Sequence, residues 1–320
     1  MGILYVVSDS AGAGKTALCA SLASALNDIG HKVTVSKPIF SDDESSDHNN
    51  YAIVLDSFLN SSSNESMDLN DDAIAKIKVM ENGVDTLILE ASNRLSATQH
   101  IELIKSIDAK VIYVGKYNGV VDAIPFITAF GENLIGAVLN FLTMYKRTEA
   151  CEVVIPKLEE SGITVLGLIP EDRTLLSLTV KQICENLEGT FFAGEEYGED
   201  LVEGYMVGGF GMDPGEYIFS KQDKKAVVVR GDRPDVQMSA LGTDMECFIM
   251  TGGLEPIEYV KYEAQEEEVS IIIVNSDTLD TMDKIGTLQE HAQFDHKEKL
   301  FKFKDLISRH VNVEGLRAAL

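Results

Sequence analysis

A chain of 320 residues with 45% hydrophobic side chains and a mean hydropathy near zero buries a sizeable core in about two domains. Its 52 acidic against 27 basic residues give a formal charge of −25, which repels nucleic acid and anionic lipid and excludes both as expected partners. No stretch approaches the roughly 20 apolar residues that cross a bilayer. The first residues lack a leader pattern, and the four scattered cysteines contain no Cys-x-x-Cys pair. A cytoplasmic protein in a reduced compartment is expected.

The elements run as follows. Continuous apolar stretches at residues 3–8, 32–38, 85–91, 110–115, 134–141 and 164–170 predict strands buried on both faces of a mostly parallel sheet. Between them, residues 15–30, 97–107 and 149–162 carry helical spacing or good helix formers. That alternation predicts an α/β layered domain over residues 1–172. Residues 41–50 and 60–72 are polar and read as loops. A break at "PEDRT" opens a second, smaller α/β domain over 173–320. Its predicted helices are 175–187, 233–242 and 278–292, and its predicted strands are 189–194, 225–231, 246–253 and 269–275. The glycine-rich stretch 204–215 is not a repeat, and no solenoid period occurs.

The segment "VVSDSAGAGKTALCASLASAL", residues 6–26, reads as strand, phosphate loop and helix. Small residues, Gly12, Ala13 and Gly14 among them, let backbone N–H groups surround phosphate oxygens. The helix beginning near Lys15 turns its positive end toward them, Lys15 adds a point charge, and Thr16 offers a hydroxyl to Mg2+. Asp9 stands where the first glycine of the G-x-x-x-x-G-K-T pattern belongs. Glu90 ends an apolar strand at the carboxyl edge of the sheet, where ligands collect and where an acid can hold Mg2+. Lys37 falls at the same edge. The six histidines show no metal-ligand spacing.

Taken together, "SDSAGAGKT", "VSKPI", "LILEAS", "GAVLN" and "GLIPED" resemble the dethiobiotin synthase-like branch of the P-loop proteins. "VVVRGDRPDVQMSAL" followed by "FIMTGG" is similar to the DRTGG domain, and the two in this order resemble the amino-terminal regulatory region of long phosphotransacetylases. The resemblance implies ATP and Mg2+ as ligands, with Gly14, Lys15 and Thr16 in the phosphate loop and Lys37 facing phosphate. It also implies Glu90 near the metal and Asn140 on the adenine. An acetate-metabolism or acyl-phosphate enzyme is the partner it implies. Departures are Ser10, where dethiobiotin synthases have an acidic metal ligand and ParA-like ATPases a signature lysine, and Ala91, Ser92 and Asn93, where substrate-accommodating glycines belong. Nucleotide binding is therefore expected and dethiobiotin synthesis is not.

In the second domain, Gly231, Asp232 and Arg233 follow a strand and precede Pro234 in a first helical turn, an arrangement suited to an anion. Thr251, Gly252 and Gly253 end the next strand, so the two loops would converge on one edge. Two alternatives to a ligand site stay open: ordinary turns whose arginines pair with acids, and a surface through which the chain forms a homo-oligomer. Two functions also stay open. One is a regulatory or sensing ATP-binding protein; the other is an ATP-dependent enzyme that phosphorylates or ligates a carboxylate. With no transacetylase domain before Leu320, that activity is not expected of this chain.

Overall fold

The computed structural model describes residues 2–39, 46–55, 70–209 and 215–318. The chain divides into two compact units, Met1–Asp172 with Phe294–Leu320, and Arg173–Gln293. No helix among the described residues is long and apolar enough to cross a membrane.

The first unit begins with β1 (Gly2–Val7), α1 (Lys15–Asp28), β2 (Val33–Ser36), α2 (Ser46–Val54), α3 (Asp71–Met80) and β3 (Thr86–Glu90). It continues through α4 (Ala97–Ile107), β4 (Lys110–Lys116), α5 (Ile124–Thr128), β5 (Leu134–Leu142), α6 (Arg147–Glu149), α7 (Ile155–Glu160) and β6 (Val165–Pro170). The six strands form one sheet in the order β2-β3-β1-β4-β5-β6, and every pairing in it is parallel. Parallel pairing puts the carboxyl ends of all six strands on one edge. Ile3, Tyr5 and Val7 of β1 join the core on one face. Leu4 and Val6 are buried too, so the strand is covered on both faces, which explains why its sequence is continuously apolar.

Local chemistry sets the ends of these helices. Ser96 and Gln99 form a reciprocal capping box at the start of α4. Asn70 accepts from the Ala73 N–H to cap α3. The stretch expected as one helix over 149–162 is instead α6, a π-helical turn at Ala150–Val154, and α7 with Pro156 in its first turn. Pro156 has no N–H to bond back into the preceding turn, which favours the wider winding before it. Residues 41–50, expected as loop, contain the start of α2. Residues 41–45 and 60–69 of the two polar stretches lie outside the described residues.

The second unit contains β7 (Leu178–Thr179), α8 (Val180–Asn186), β8 (Thr190–Ala193), β9 (Leu201–Val202), β10 (Gly204–Val207), α9 (Glu216–Phe219) and β11 (Lys225–Arg230). After them come α10 (Pro234–Leu241), β12 (Met245–Thr251), α11 (Glu258–Glu266), β13 (Ser270–Ile273) and α12 (Thr278–Leu288). A five-stranded sheet runs β10-β11-β12-β13-β8, with only β8 antiparallel, and β7 pairs with β9 separately. Alternate residues serve opposite faces: Ala226 and Val228 pack in one cluster, Val227 and Val229 in another. The helix expected from residue 175 starts only at Val180, because Thr179 and Gln182 close a capping box there. Residues 210–214 of the glycine-rich stretch lie outside the described residues.

Residues 294–320, expected in the second domain, belong to the first unit. They form α13 (Lys297–His310) and α14 (Val313–Ala318). The apolar face of α13 buries Leu300, Phe303, Leu306 and Ile307. Beyond it, the Asn312 N–H donates to the Leu166 carbonyl of β6 at 2.8 Å.

Candidate functional site

The carboxyl edge of the first sheet collects the expected residues around the loop after β1. Gly12 and Gly14 both have positive φ, 64° and 98°, a backbone that glycine adopts without steric cost. Gly14 also caps α1, and a Cβ on it would lie 2.4 Å from Asn140 Nδ2. Lys15, at the first position of α1, is buried. Its ammonium turns back over the loop, donating to Ser8 Oγ at 2.9 Å and to Asn93 Oδ1 at 2.5 Å.

On the β3 flank, pairing of Val6 with Glu90 sets the carboxylate beside the end of β1. Both Glu90 oxygens are engaged. Oε1 lies 3.2 Å from Lys37 Nζ and accepts from Thr16 Oγ1, also at 3.2 Å, while Oε2 accepts from the Tyr51 phenol of α2. Lys37 and Glu90 are 1% and 2% exposed, so each charge needs the other in that interior. The spacing of Thr16 Oγ1 and Glu90 Oε1 is close to the about 3 Å between adjacent ligands of an octahedral Mg2+ with bonds of about 2.1 Å. One carboxylate and one hydroxyl beside a phosphate loop also suit an ion that takes its remaining ligands from water and phosphate. These residues fit Mg2+. Among the described residues, no cluster of three or more His, Cys, Asp or Glu offers a protein-only metal site.

The β4 and β5 flank carries different groups. Asn140 Nδ2 donates to the Ala13 carbonyl at 3.1 Å, and Asn140 Oδ1 accepts from the Phe141 N–H at 2.9 Å. Both ends of this amide hold backbone, so Asn140 braces the phosphate loop from behind. Tyr113 donates to Asp9 Oδ1 at 2.7 Å. Burial, then the Asp9 carboxylate, raises the Tyr113 pKa, which keeps the phenol protonated as a donor. Burial also pushes the Cys19 thiol up, with the Glu90 charge adding to it, so Cys19 stays a thiol and not a nucleophile. His100 meets Tyr5 at 2.7 Å, and burial first, then the Lys15 charge, lowers its pKa to about 4.

Ser8, Tyr51, Asn93 and Tyr113 were not among the expected site residues. Asn93 showed only as a departure at a position where glycine belongs. Tyr113 reads as one more apolar strand residue, and the signal that it does more is Gly115, two positions on along the same face.

In the second unit the structure brings the two expected loops together. Arg230 pairs with Thr251 across β11 and β12, and a Cβ on Gly231 would fall 2.1 Å from the Leu254 carbonyl oxygen. The groups expected to grip an anion are turned elsewhere. Arg230 bonds Asp232 and Arg233 bonds Asp235, each through Nε and a terminal nitrogen at 2.8 to 2.9 Å. The Gly252 and Gly253 N–H groups donate to the Ser276 and Val274 carbonyls, and Thr251 Oγ1 meets Thr278 Oγ1 at 2.9 Å. The arginines thus pair with neighbouring acids, as a chain this acidic favours. A polar cavity of about 430 Å³ in this unit is lined by Leu178, Gln182, Asn186 and residues 290–293, none of them from the two loops.

Comparison with known proteins follows the same division. The regulatory region of Clostridium perfringens pyrophosphatase, its CBS and DRTGG domains complexed with the activator diadenosine tetraphosphate, is 16% identical. That match covers 38% of this chain and 54% of that one, with a TM-score of 0.32, so this chain spans about half of that structure. The MinC:MinD cell division protein complex of Aquifex aeolicus is 17% identical over 55% of this chain and 84% of that one, with a TM-score of 0.40. FtsY from Mycoplasma mycoides is 18% identical over 53% and 60%, with a TM-score of 0.42. Residues 182–288 match the DRTGG domain. Residues 4–182, more than half of the chain, match the model of the CobQ/CobB/MinD/ParA nucleotide binding domain, and the chain belongs to that family.

Proposed function

We propose that this protein binds a nucleoside phosphate, ATP or ADP with Mg2+, over the loop at residues 8–16, and that the DRTGG unit gives this binding a regulatory or sensing role. The arrangement is that of a dethiobiotin synthase-like domain joined to a DRTGG domain, as in the amino-terminal region of long phosphotransacetylases. The observation that carries the reading is the buried Lys15 ammonium, held over the loop by Ser8 and Asn93 beside the Thr16–Glu90 pair. Ser8 and Asn93 offer it oxygen acceptors at 2.9 and 2.5 Å, the kind of atom a phosphate would present in their place.

In this reading Gly12, Ala13, Gly14 and the amino end of α1 cradle phosphate oxygens. Lys15 and Lys37 supply positive charge, and Thr16 and Glu90 hold the metal. Bound Mg2+ would neutralise charge on the phosphate chain. Asn140 keeps the loop in the conformation that Gly12 and Gly14 permit. The output passes to a partner in acetate or acyl-phosphate metabolism or to a second copy of the chain.

A thermal-shift series tests the reading. ATP or ADP with Mg2+ should raise the melting temperature of the wild type, because a ligand that binds only the folded state stabilises it. Lys15→Ala should remove the shift. Equal shifts in the two proteins would refute it.

A further inference from the structure

Lys116 ends β4 on the flank of the phosphate loop opposite Glu90, because the sheet order puts β3 on one side of β1 and β4 on the other. Its Nζ lies 3.8 Å from the position a Cβ would take on Gly12, so the ammonium stands directly over the loop backbone. It is exposed, and among the described residues it makes no ion pair, although acidic residues outnumber basic ones by 52 to 27. The contact it does make is with the Phe141 ring, 5.9 Å from the centroid, at the outer limit of a useful cation–π interaction. Phe141 itself has φ of 58°, a conformation that costs a bulky residue energy and that concentrates at ligand sites. Its N–H is fixed by Asn140, which also holds Ala13. Lys116, Phe141, Asn140 and the loop therefore form one connected group on the β4 and β5 flank.

We infer that Lys116 is a second phosphate-binding lysine, delivered from β4, which grips the phosphate of a nucleoside di- or triphosphate that lies toward the nucleoside end. The inference rests on the nucleotide reading above and adds to it the direction of the ligand. Thr16, Glu90 and Lys37 take the metal-bound end of the phosphate chain on the β3 flank. A chain crossing the loop from there brings its nucleoside-side phosphate under Lys116. Ser10 leaves the loop without a lysine of its own ahead of Lys15, and the strand-borne ammonium supplies that charge from the other side. Its weak hold on Phe141 leaves it free to turn onto a ligand oxygen.

Calorimetric titration of ADP and of ATP, both with Mg2+, into the wild type, Lys116→Met, Lys116→Arg and Lys15→Met tests this. Met keeps the stem over Phe141 without the charge. Lys116→Met should weaken both nucleotides about tenfold, Lys116→Arg should stay near the wild type, and ligand-free melting should not move. Wild-type affinity in Lys116→Met overturns the inference, and so does a loss confined to ATP, which would put Lys116 at the terminal phosphate. If the wild type binds neither nucleotide, the nucleotide reading itself falls, and this inference falls with it.

Discussion

The ring of Tyr113 occupies the space that a side chain at Gly115 would fill: a Cβ there would lie 2.1 Å from the phenolic oxygen and 2.5 Å from two ring carbons. The two residues share one face of β4, and the missing side chain lets the phenol run along the strand to its carboxyl end, where it bonds Asp9. Strand, glycine and loop are thus one device that anchors the start of the phosphate loop to the core. Gly115→Ala should cost about 1–3 kcal/mol by overpacking. Tyr113→Phe, which keeps the packing and drops the hydroxyl, should cost about 1 kcal/mol and weaken nucleotide binding more than it lowers the urea midpoint. Urea melts with parallel titrations check both. A Tyr113→Phe protein that binds nucleotide as the wild type does would mean that the Asp9 bond does not position the loop.

Much of this was legible from residue pattern alone, for physical reasons that differ by element. The six strands of the first unit read clearly because burial on both faces demands continuous apolar stretches. Lys15, Thr16, Lys37 and Glu90 were placed at one edge because parallel strands expose their carboxyl ends together. Tyr51 was missed because its partner Glu90 lies 39 residues away in sequence and the two meet only in the fold. The bond from Asn140 to the Ala13 carbonyl was not legible, since a strand-end asparagine shows nothing of the carbonyl it will meet. The arginines of the second unit were ambiguous in sequence. Asp232 and Asp235 stand two residues from them, and only geometry shows the pairing. The return of residues 294–320 to the first unit depends on contacts across nearly the whole chain, which local periodicity does not carry.

The Lys37–Glu90 pair should behave as a coupled unit. Both side chains are buried, so removing one partner leaves a charge in a medium that solvates it poorly. Lys37→Met is expected to cost about 3–5 kcal/mol. Glu90→Gln keeps groups for Tyr51 and Thr16 but strands the ammonium, and it should also abolish the part of the nucleotide shift that depends on Mg2+. The double variant should be more stable than the sum of the two losses allows. A double-mutant cycle by urea unfolding measures this, with strict additivity as the contrary result.

His100 predicts a specific acid sensitivity. Its pKa is about 4 in the folded protein against 6.5 for the free side chain. Between those values the unfolded chain binds a proton that the folded chain does not. Stability therefore falls as pH drops from about 6.5 toward 4, by up to about 1.4 kcal/mol per pH unit, and is flat in this respect above 6.5. His100→Gln removes the titrating group. The stability gap between wild type and variant should narrow from pH 7 to pH 5 in matched urea melts. Curves that stay parallel over that range would show that His100 is not buried in its neutral form.

The two units should separate at unequal cost when the chain is cut, because one is continuous and the other is not. Arg173–Gln293 holds a whole five-stranded sheet with its own clusters on both faces, so a fragment with those limits should unfold cooperatively on its own. The first unit needs its last segment. Leu300, Phe303, Leu306 and Ile307 of α13 are buried, Lys304 reaches Ser24 and Asp28 on α1, and Lys302 pairs with Asp172 at 3.0 Å. Gly167 of β6 has the His310 carbonyl oxygen 2.4 Å from where its Cβ would be, so the strand is shaped for the returning chain. Each of the four buried α13 side chains contributes about 1.5–3 kcal/mol on burial, so their loss together is comparable to the whole stability of a typical domain, about 5–15 kcal/mol. A fragment ending at residue 172 should therefore be partly unfolded or aggregate, while joining residues 294–320 to it through a flexible linker should restore a cooperative melt. Circular dichroism of the three fragments decides the matter. A stable 1–172 fragment would show that the carboxyl-terminal helices decorate the first unit without holding it together.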